Sequence, residues 1–168
     1  MLKIISYYCS VGKDRKIMEL LRERYGKWAL VAGAAEGIGE GFTTVLAANG
    51  FNVVLVDRNA YAMHVLSVKI MERYHVETAE VEIDLAATDA ADQCMRAASS
   101  AGCRLMVYVA AYSKVSRFKG LDTPDLDAFI SVNTRTLLHL VHGFSNMLTS
   151  EGKTGGIVLV SSLAGMIG

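Results

Sequence analysis

Five short runs rich in β-branched residues, separated by longer segments of helical periodicity, constrain the fold of this 168-residue chain more than any other feature. The runs are WALVAG, NVVLVD, ETAEVEID, LMVYVA and GIVLVSS. Most are almost continuously apolar, as strands covered on both faces of a parallel sheet must be. The alternation predicts βαβ units and therefore an α/β fold, a doubly wound parallel sheet of the Rossmann type.

The segments between the runs carry apolar stripes at helical spacing. The first stripe consists of Ile38, Phe42, Val45 and Leu46. The second consists of Met63, Leu66, Ile70 and Tyr74. We expect the first helix to stop at Asn49-Gly50, an alanine-rich third helix to lie close to the sheet, and a long fourth helix to begin near Pro124.

Residues 1–26 precede this pattern, and we expect them to form an N-terminal helical extension to the α/β domain at residues 27–168. Ile17, Leu20, Leu21 and Tyr25 recur at helical spacing, which favours a helix packed on the domain, with an interfacial anchor as the alternative. The apolar stretch MLKIISYYCSVG is too short to span a bilayer, so no targeting or transmembrane segment is expected.

The charge balance narrows the class of partner. Seventeen basic residues match seventeen acidic ones, so no net field draws the chain to nucleic acid or to an anionic membrane. The three cysteines lack the spacing of a disulfide framework or a zinc site, and His139 with His142 lacks a third metal ligand. We therefore expect a cytoplasmic protein with a small-molecule partner and no metal.

A glycine-rich segment, AGAAEGIG, stands between the first run and the first helix. Gly33, Gly37 and Gly39 follow the spacing GxxxGxG. Glycine permits a tight turn and lets a pyrophosphate approach main-chain N–H groups at a helix start. The segment predicts a dinucleotide site, and therefore a Rossmann-like dinucleotide-binding domain at residues 27–168, with a tight strand-to-helix turn as the plain structural alternative.

The second run ends at Asp57, 24 residues after Gly33. An acidic side chain there can accept hydrogen bonds from ribose hydroxyls, which favours NAD. Arg58 follows directly and could pair with a 2′-phosphate, so NADP stays open. A solvated strand end would carry the same residues without any cofactor role.

From about Tyr25 onward the chain resembles the short-chain dehydrogenase/reductase family, and YGKWALVAGAAEGIG is most similar to its branch of 3-ketoacyl-CoA reductases and 17β-hydroxysteroid dehydrogenases. The resemblance implies that cofactor-binding residues stand in the glycine loop and after the third and fourth strands. They are Gly33, Gly37, Ile38, Gly39, Asp84, Leu85, Ala110 and Ala111. The chain departs from the family where Ala32 replaces a usual threonine and Val109 an expected asparagine, which puts the local hydrogen bonding in question.

The resemblance also implies a catalytic set of Asn, Ser, Tyr and Lys. Asn133 matches the helix asparagine, and its place in the apolar stripe of the fourth helix predicts a buried amide. Ser162 matches the serine after the fifth strand. The Tyr and Lys of the family motif Y-x-x-x-K are missing, because no tyrosine of the 168 residues has a lysine four positions later.

The resemblance therefore implies an NAD(P)-dependent oxidoreductase that transfers hydride between nicotinamide and a secondary alcohol or ketone. The chain is interpreted as the N-terminal, cofactor-binding part of it, truncated after the fifth strand, with the Tyr-Lys pair beyond residue 168 and a homo-oligomer expected. Such an ending leaves an apolar strand edge, so the chain alone is expected to be poorly soluble. The alternatives are an inactive dinucleotide-binding protein and a methyltransferase on a related fold.

Overall fold

The computed structural model describes residues 15–162, and side chains from residue 19 onward. Its elements are α1 (Arg15–Tyr25), β1 (Trp28–Ala32), α2 (Gly37–Ala48), β2 (Asn52–Asp57), α3 (Ala60–Tyr74), β3 (Thr78–Glu82), α4 (Ala90–Ala101), β4 (Leu105–Tyr108), a 3₁₀ turn (Phe118–Gly120), α5 (Thr123–Ile130), a π-helical turn (Ser131–Thr136), α6 (Leu137–Ser150) and β5 (Gly156–Leu159). The α/β prediction is confirmed, and each predicted run contains one strand.

The five strands form one parallel sheet in the order β3-β2-β1-β4-β5. The chain builds outward from β1 through β2 to β3, then crosses to the other side of β1 for β4 and β5. At the carboxyl end of the centre, Ala32 stands in register between Val56 and Tyr108. The order reverses between β1 and β4, which is where doubly wound sheets bind ligands.

Helices cover both faces of the sheet, so alternate residues of the central strands enter two separate cores. On one face, Leu30 and Met106 pack with α4 and α6. On the other, Val31 and Leu55 pack with α2 and α3. The buried residues of α4 are Ala90, Ala91, Cys94 and Ala98. Small side chains let this helix lie close to the sheet, as its composition predicted.

The predicted stripe of α2 is wrong at its first member, because Ile38 is 55% exposed. The buried residues of α2 are instead Gly39, Thr43 and Ala47. These short side chains let the helix start close to the strands, and the larger apolar residues are displaced to the flank. The predicted stop is confirmed, since Asn49 caps α2 and Gly50 takes a positive φ of 74°. The stripe of α3 is also confirmed for Met63, Leu66 and Ile70.

Helix α1 is tied to the domain by Arg104, which precedes β4. Its guanidinium donates to the carbonyls of Glu23 and Arg24 at the end of α1, at 3.1 and 2.7 Å. It also donates to both the carbonyl and the hydroxyl of Thr154, before β5. These bonds satisfy carbonyls that a helix end leaves open. The helix therefore packs on the sheet, although Leu20 of its predicted stripe is 56% exposed.

No helix in residues 15–162 combines the length and the apolar character needed to cross a membrane.

Candidate functional site

A cleft of about 420 Å³ opens at the carboxyl edge of the sheet. It lies where the strand order reverses, above β1, β2 and β4. The residues that line it are Gly33, Glu36, Ile38, Asp57, Arg58, Asn59, Ile83, Asp84, Leu85, Val109, Ala110, Ala111, Tyr112 and Val132. The fold thus brings together eight of the predicted site residues, from four separate parts of the chain.

Two of the three loop glycines are required by packing within the protein. A Cβ on Gly33, which has a φ of 85°, would lie 2.7 Å from the backbone nitrogen of Ala110. A Cβ on Gly39 would lie 1.7 Å from the carbonyl oxygen of Gly33. Real Cβ atoms do not approach backbone so closely. The turn is therefore folded tightly against β4, and Gly39 supports the cleft from beneath without lining it.

Gly37, which like Gly39 is not among the residues that line the cleft, differs from the other two glycines in its surroundings. Its φ is 57°, and no atom lies within 4 Å of the position a Cβ would take. It opens α2, whose preceding residue Glu36 makes no side-chain cap to the first helical N–H groups. A helix start with uncapped N–H groups and an open backbone suits the approach of an anion. The loop therefore fits a diphosphate, which is the test that a dinucleotide site must pass.

Asp57 connects the glycine turn to the end of β2. Its Oδ2 accepts from the backbone N–H of Ala35 and its Oδ1 from that of Asn59, each at 3.0 Å. The Asn59 side chain also donates to Oε1 of Glu36 at 2.9 Å. Each carboxylate oxygen has two lone pairs, so Asp57 retains the capacity to accept a ribose hydroxyl. Arg58 is exposed and lines the cleft beside it.

The segment after β3 forms the far wall. Leu85 is buried and Asp84 is exposed, with its Oδ1 accepting from the N–H of Ala86 at 2.9 Å. The Leu85 carbonyl accepts from the buried hydroxyl of Thr136 at 2.8 Å. This wall is therefore fixed to the π-helical turn by a hydrogen bond.

The wall after β4 lacks the family asparagine, yet its main chain is well held. The N–H groups of Val109 and Ala110 both donate to the carbonyl of Ala32, at 2.9 and 3.0 Å. Both bonds join the segment to the end of β1, next to Gly33. The departure at Val109 therefore leaves the local backbone of this wall hydrogen-bonded.

Asn133 and Ser162 do not line the cleft, although Val132, next to Asn133, does. The prediction that Asn133 is buried is wrong, because Asn133 is exposed in the π-helical turn, and Ile130, just before the turn, is 61% exposed as well. The Asn133 amide nevertheless makes two hydrogen bonds: Oδ1 accepts from the N–H of Tyr112 at 2.8 Å, and Nδ2 donates to the Tyr112 carbonyl at 2.9 Å. Ser162 is exposed and is the last residue that the structure describes.

Sequence reasoning missed a polar cluster beside the cleft. The carboxylate of Asp125, which is 6% exposed, accepts from the Tyr112 hydroxyl at 2.6 Å and from Lys114 Nζ at 2.5 Å. The Lys114 and Tyr112 hydrogen bonds lower the pKa of Asp125 to about 2. The same carboxylate raises the pKa of Tyr112 and that of Lys114.

This cluster does not replace the absent Tyr-Lys pair. In the family motif the lysine cation lowers the pKa of the tyrosine, whereas here Asp125 raises it and takes the hydroxyl proton in a hydrogen bond. A phenol with a raised pKa releases its proton less readily, so Tyr112 does not fit the role of proton donor. The cluster instead fixes the loop after β4 to the start of α5.

Other missed residues of the cleft are Glu36, Asn59, Ile83 and Val132. Only Asn59 carried a signal in the sequence. An asparagine just before a helical stripe is a typical N-cap, and its Oδ1 accepts from the N–H of Ala62 at 3.1 Å. The remaining three line the cleft through the topology of the sheet, which no local pattern reports.

Comparisons with known proteins agree with this geometry. A family model described as short chain dehydrogenase matches residues 27–168. A 7beta-hydroxysteroid dehydrogenase of Collinsella aerofaciens is 34% identical over 146 residues, which cover 87% of this chain and 55% of that protein. A very-long-chain 3-oxoacyl-CoA reductase of Bos taurus is 32% identical over 149 residues, covering 84% of this chain and 46% of that protein. The chain spans about half the length of these relatives.

Solved structures show the same architecture. One from a study of 7beta-hydroxysteroid dehydrogenase stereoselectivity has a TM-score of 0.80 at 34% identity, over 87% of this chain and 57% of that one. A metagenomic short-chain oxidoreductase in complex with NADP has a TM-score of 0.75 at 26% identity, over 83% of this chain and 64% of that one. From the matched residues and the shared fold we conclude that the chain belongs to the short-chain dehydrogenase family.

Proposed function

We propose that this chain forms the nucleotide-binding part of an NAD(P)-dependent oxidoreductase that moves hydride between nicotinamide and a secondary alcohol or ketone. The observation that carries the proposal is the cleft at the β1–β4 switch point, with the open backbone of Gly37 at its helix start and Asp57 with Arg58 opposite. The similar oxidoreductase solved with NADP supports a dinucleotide in this place.

Different residues of this chain would hold different parts of the dinucleotide. The turn around Gly37 and the start of α2 would hold the diphosphate, Asp57 and Arg58 the adenosine ribose, and Asp84 with Leu85 the adenine. Ala110 and Ala111 would contact the cofactor where it crosses the end of β4, between the diphosphate and the nicotinamide ring. When bound, the nicotinamide supplies the hydride chemistry.

Asn133 and Ser162 are proposed as the catalytic residues present in this chain. Ser162 would orient the substrate carbonyl through its hydroxyl, and Asn133 would belong to the polar network beside it. A tyrosine-lysine pair outside these 168 residues would move the proton. The names of the relatives point to a steroid or an acyl thioester as substrate, and either one presents a secondary alcohol or ketone.

The sequence also favours a second function. A dinucleotide-binding protein without catalysis fits the absence of Tyr-x-x-x-Lys from the 168 residues. Turnover of a ketone with NADH or NADPH by the complete protein would decide for the enzyme. Tight dinucleotide binding without any turnover would decide for the inactive protein. A cytoplasmic location and a homo-oligomeric state are further expectations, to be checked by cell fractionation and by sedimentation velocity.

Single substitutions of the two residues at the end of β2 test the choice between NAD and NADP. NAD is the assignment that Asp57 favours, and Arg58 keeps NADP open. We expect Asp57→Asn to weaken NADH binding about tenfold, because it removes the carboxylate charge and replaces one of the two oxygens, which also accept from Ala35 and Asn59, by an NH2 group. Arg58→Gln should weaken NADPH binding and leave NADH unchanged. Tight NADPH binding without any NADH binding in the parent protein would overturn the assignment of Asp57.

A further inference from the structure

The turn between α5 and α6 is π-helical over six residues, Ser131–Thr136. Such turns are rare, and they are frequently found at functional sites. This one has the proposed catalytic Asn133 on its exposed side and Val132 in the wall of the cleft. A wide turn has more than one arrangement open to it, so something must fix its register if Asn133 is to hold one orientation.

The Tyr108 hydroxyl holds the start of this turn. Tyr108 is the last residue of β4 and is 1% exposed, and its hydroxyl donates to the carbonyl of Val132 at 2.6 Å. Its ring lies in an apolar core, where phenylalanine would fill the same space. Burial raises the pKa of Tyr108, which keeps the hydroxyl a donor. The hydroxyl's distinct contribution is therefore this one bond to the turn.

The Thr136 hydroxyl holds the end of the turn. Thr136 is 2% exposed and donates to the Leu85 carbonyl at 2.8 Å. The next side chain toward the start, Arg135, donates to the Ala86 carbonyl at 2.9 Å. The turn is therefore attached at one end to the strand below it and at the other end to the segment proposed to hold the adenine.

Asn133 lies between these two attachments, and its amide pairs with both main-chain groups of Tyr112. We propose that Tyr108 and Thr136 are positioning residues: their hydroxyls set the register of the π-helical turn and thereby orient the Asn133 amide. The inference rests on the proposed function for the catalytic meaning of Asn133. The positioning itself is a property of the fold and can be measured without turnover.

Two hydroxyl deletions test the inference in the 168-residue chain carrying Val158→Lys, which replaces an apolar side chain exposed on β5 and should limit self-association. Tyr108→Phe and Thr136→Val each remove one hydrogen bond and keep most of the side-chain volume. The readout is the NMR signal of the Asn133 side-chain amide, assigned by its loss in Asn133→Asp, together with hydrogen exchange over residues 131–136. We expect both variants to shift the amide signal and to speed exchange in the turn about five- to tenfold.

Thr149→Val is the matched control. Thr149 lies on α6, outside the turn, and its hydroxyl donates to the Ser145 carbonyl at 2.9 Å. This variant should leave the Asn133 signal and the exchange of the turn as they are. Unchanged Asn133 signals in both Tyr108→Phe and Thr136→Val would overturn the inference. If one of these variants fails to fold, the other still decides.

The complete protein adds a kinetic readout. Tyr108→Phe should lower kcat severalfold while the dissociation constant of the dinucleotide stays the same, because the diphosphate loop is untouched. A shifted Asn133 signal with unchanged kcat would support the positioning and contradict the catalytic role of Asn133 under the proposed function. The two proposals therefore fail separately.

Discussion

At the scale of single residues, the glycine turn divides into positions that the protein requires and a position that a ligand would use. Gly33 and Gly39 face backbone atoms of the chain itself, whereas Gly37 faces open space. The sequence spacing predicted a close approach to the backbone. It could not show which glycines are close to other parts of the chain itself. Gly33 contacts Ala110, which is distant in sequence and comes close only because β1 pairs with β4.

Gly39→Ala tests the internal approach, with Gly41→Ala as its control on the same helix. A Cβ at Gly39 would lie 1.7 Å from the Gly33 carbonyl oxygen, and nothing lies within 4 Å of one at Gly41. We expect Gly39→Ala to lower the free energy of unfolding by about 2–3 kcal/mol through strain. Gly41→Ala should raise it by up to about 1 kcal/mol, since alanine favours helix. Equal effects in urea unfolding would contradict this packing.

The decline of the free energy of unfolding at acid pH reports on the ionisation of Asp125. Its folded-state pKa is about 2, below the usual value for aspartate. A group whose pKa is lowered on folding stabilises the protein above its unfolded-state pKa, and that contribution is lost as the pH falls through the folded-state value. We expect Asp125→Asn to reduce stability at neutral pH and to make the decline from pH 4 to pH 2 shallower than in the parent.

Asp127→Asn is the control for this pH dependence. Asp127 is exposed on the same helix, α5, as Asp125. Its variant should keep the parent's pH profile in urea unfolding. A decline as steep in Asp125→Asn as in the parent would show that the hydrogen bonds of Lys114 and Tyr112 do not perturb this carboxylate.

At the scale of elements, the three central strands β2, β1 and β4 were readable because each buries both faces and is therefore mostly apolar. The extent of the long helix could be predicted from the sequence, but which of its residues face the core could not. Projection at 3.6 residues per turn placed Asn133 on the buried stripe, but that stripe already fails at Ile130, which is 61% exposed before the π-helical turn begins. No local sequence signal announces such a turn, because Tyr108 and Leu85, which hold it, belong to other elements.

Helix α1 provides the prediction at this scale. Arg104→Met keeps the apolar stem of the side chain and removes its donors to Glu23, Arg24 and Thr154. Hydrogen bonds from a charged donor contribute about 1.5–3 kcal/mol, so we expect a loss of about 2 kcal/mol in the free energy of unfolding. Hydrogen exchange should also accelerate over residues 19–25.

Arg96→Met, on the exposed side of α4, is the control and should change neither quantity. If protection of α1 were the same in Arg104→Met as in the parent, the helix would be held by its other contacts, which include the hydrogen bond from Arg22 to the Gly50 carbonyl at 2.9 Å. The N-terminal extension would then be attached to the sheet domain by contacts other than the hydrogen bonds of Arg104.

At the scale of the whole molecule, the two edges of the sheet differ. The β3 edge carries the exposed charges of Glu80 and Glu82, which discourage pairing with another chain. The β5 edge, among the residues described, exposes Val158 and Leu159 by 36% and 48%.

We therefore expect the 168-residue chain to self-associate through β5. Val158→Lys should lower the sedimentation coefficient, while Val65→Lys, at another exposed valine on α3, should not. Association unaffected by Val158→Lys would contradict this.

A titration of the chain with NADH and with NADPH, followed by amide chemical shifts, tests whether the cleft binds a dinucleotide. If the cleft holds the diphosphate at the glycine turn, the largest changes will fall at residues 33–39, 57–59 and 84–85, and at 109–112. Changes confined to another surface, or no change with either nucleotide at millimolar concentration, would contradict the account.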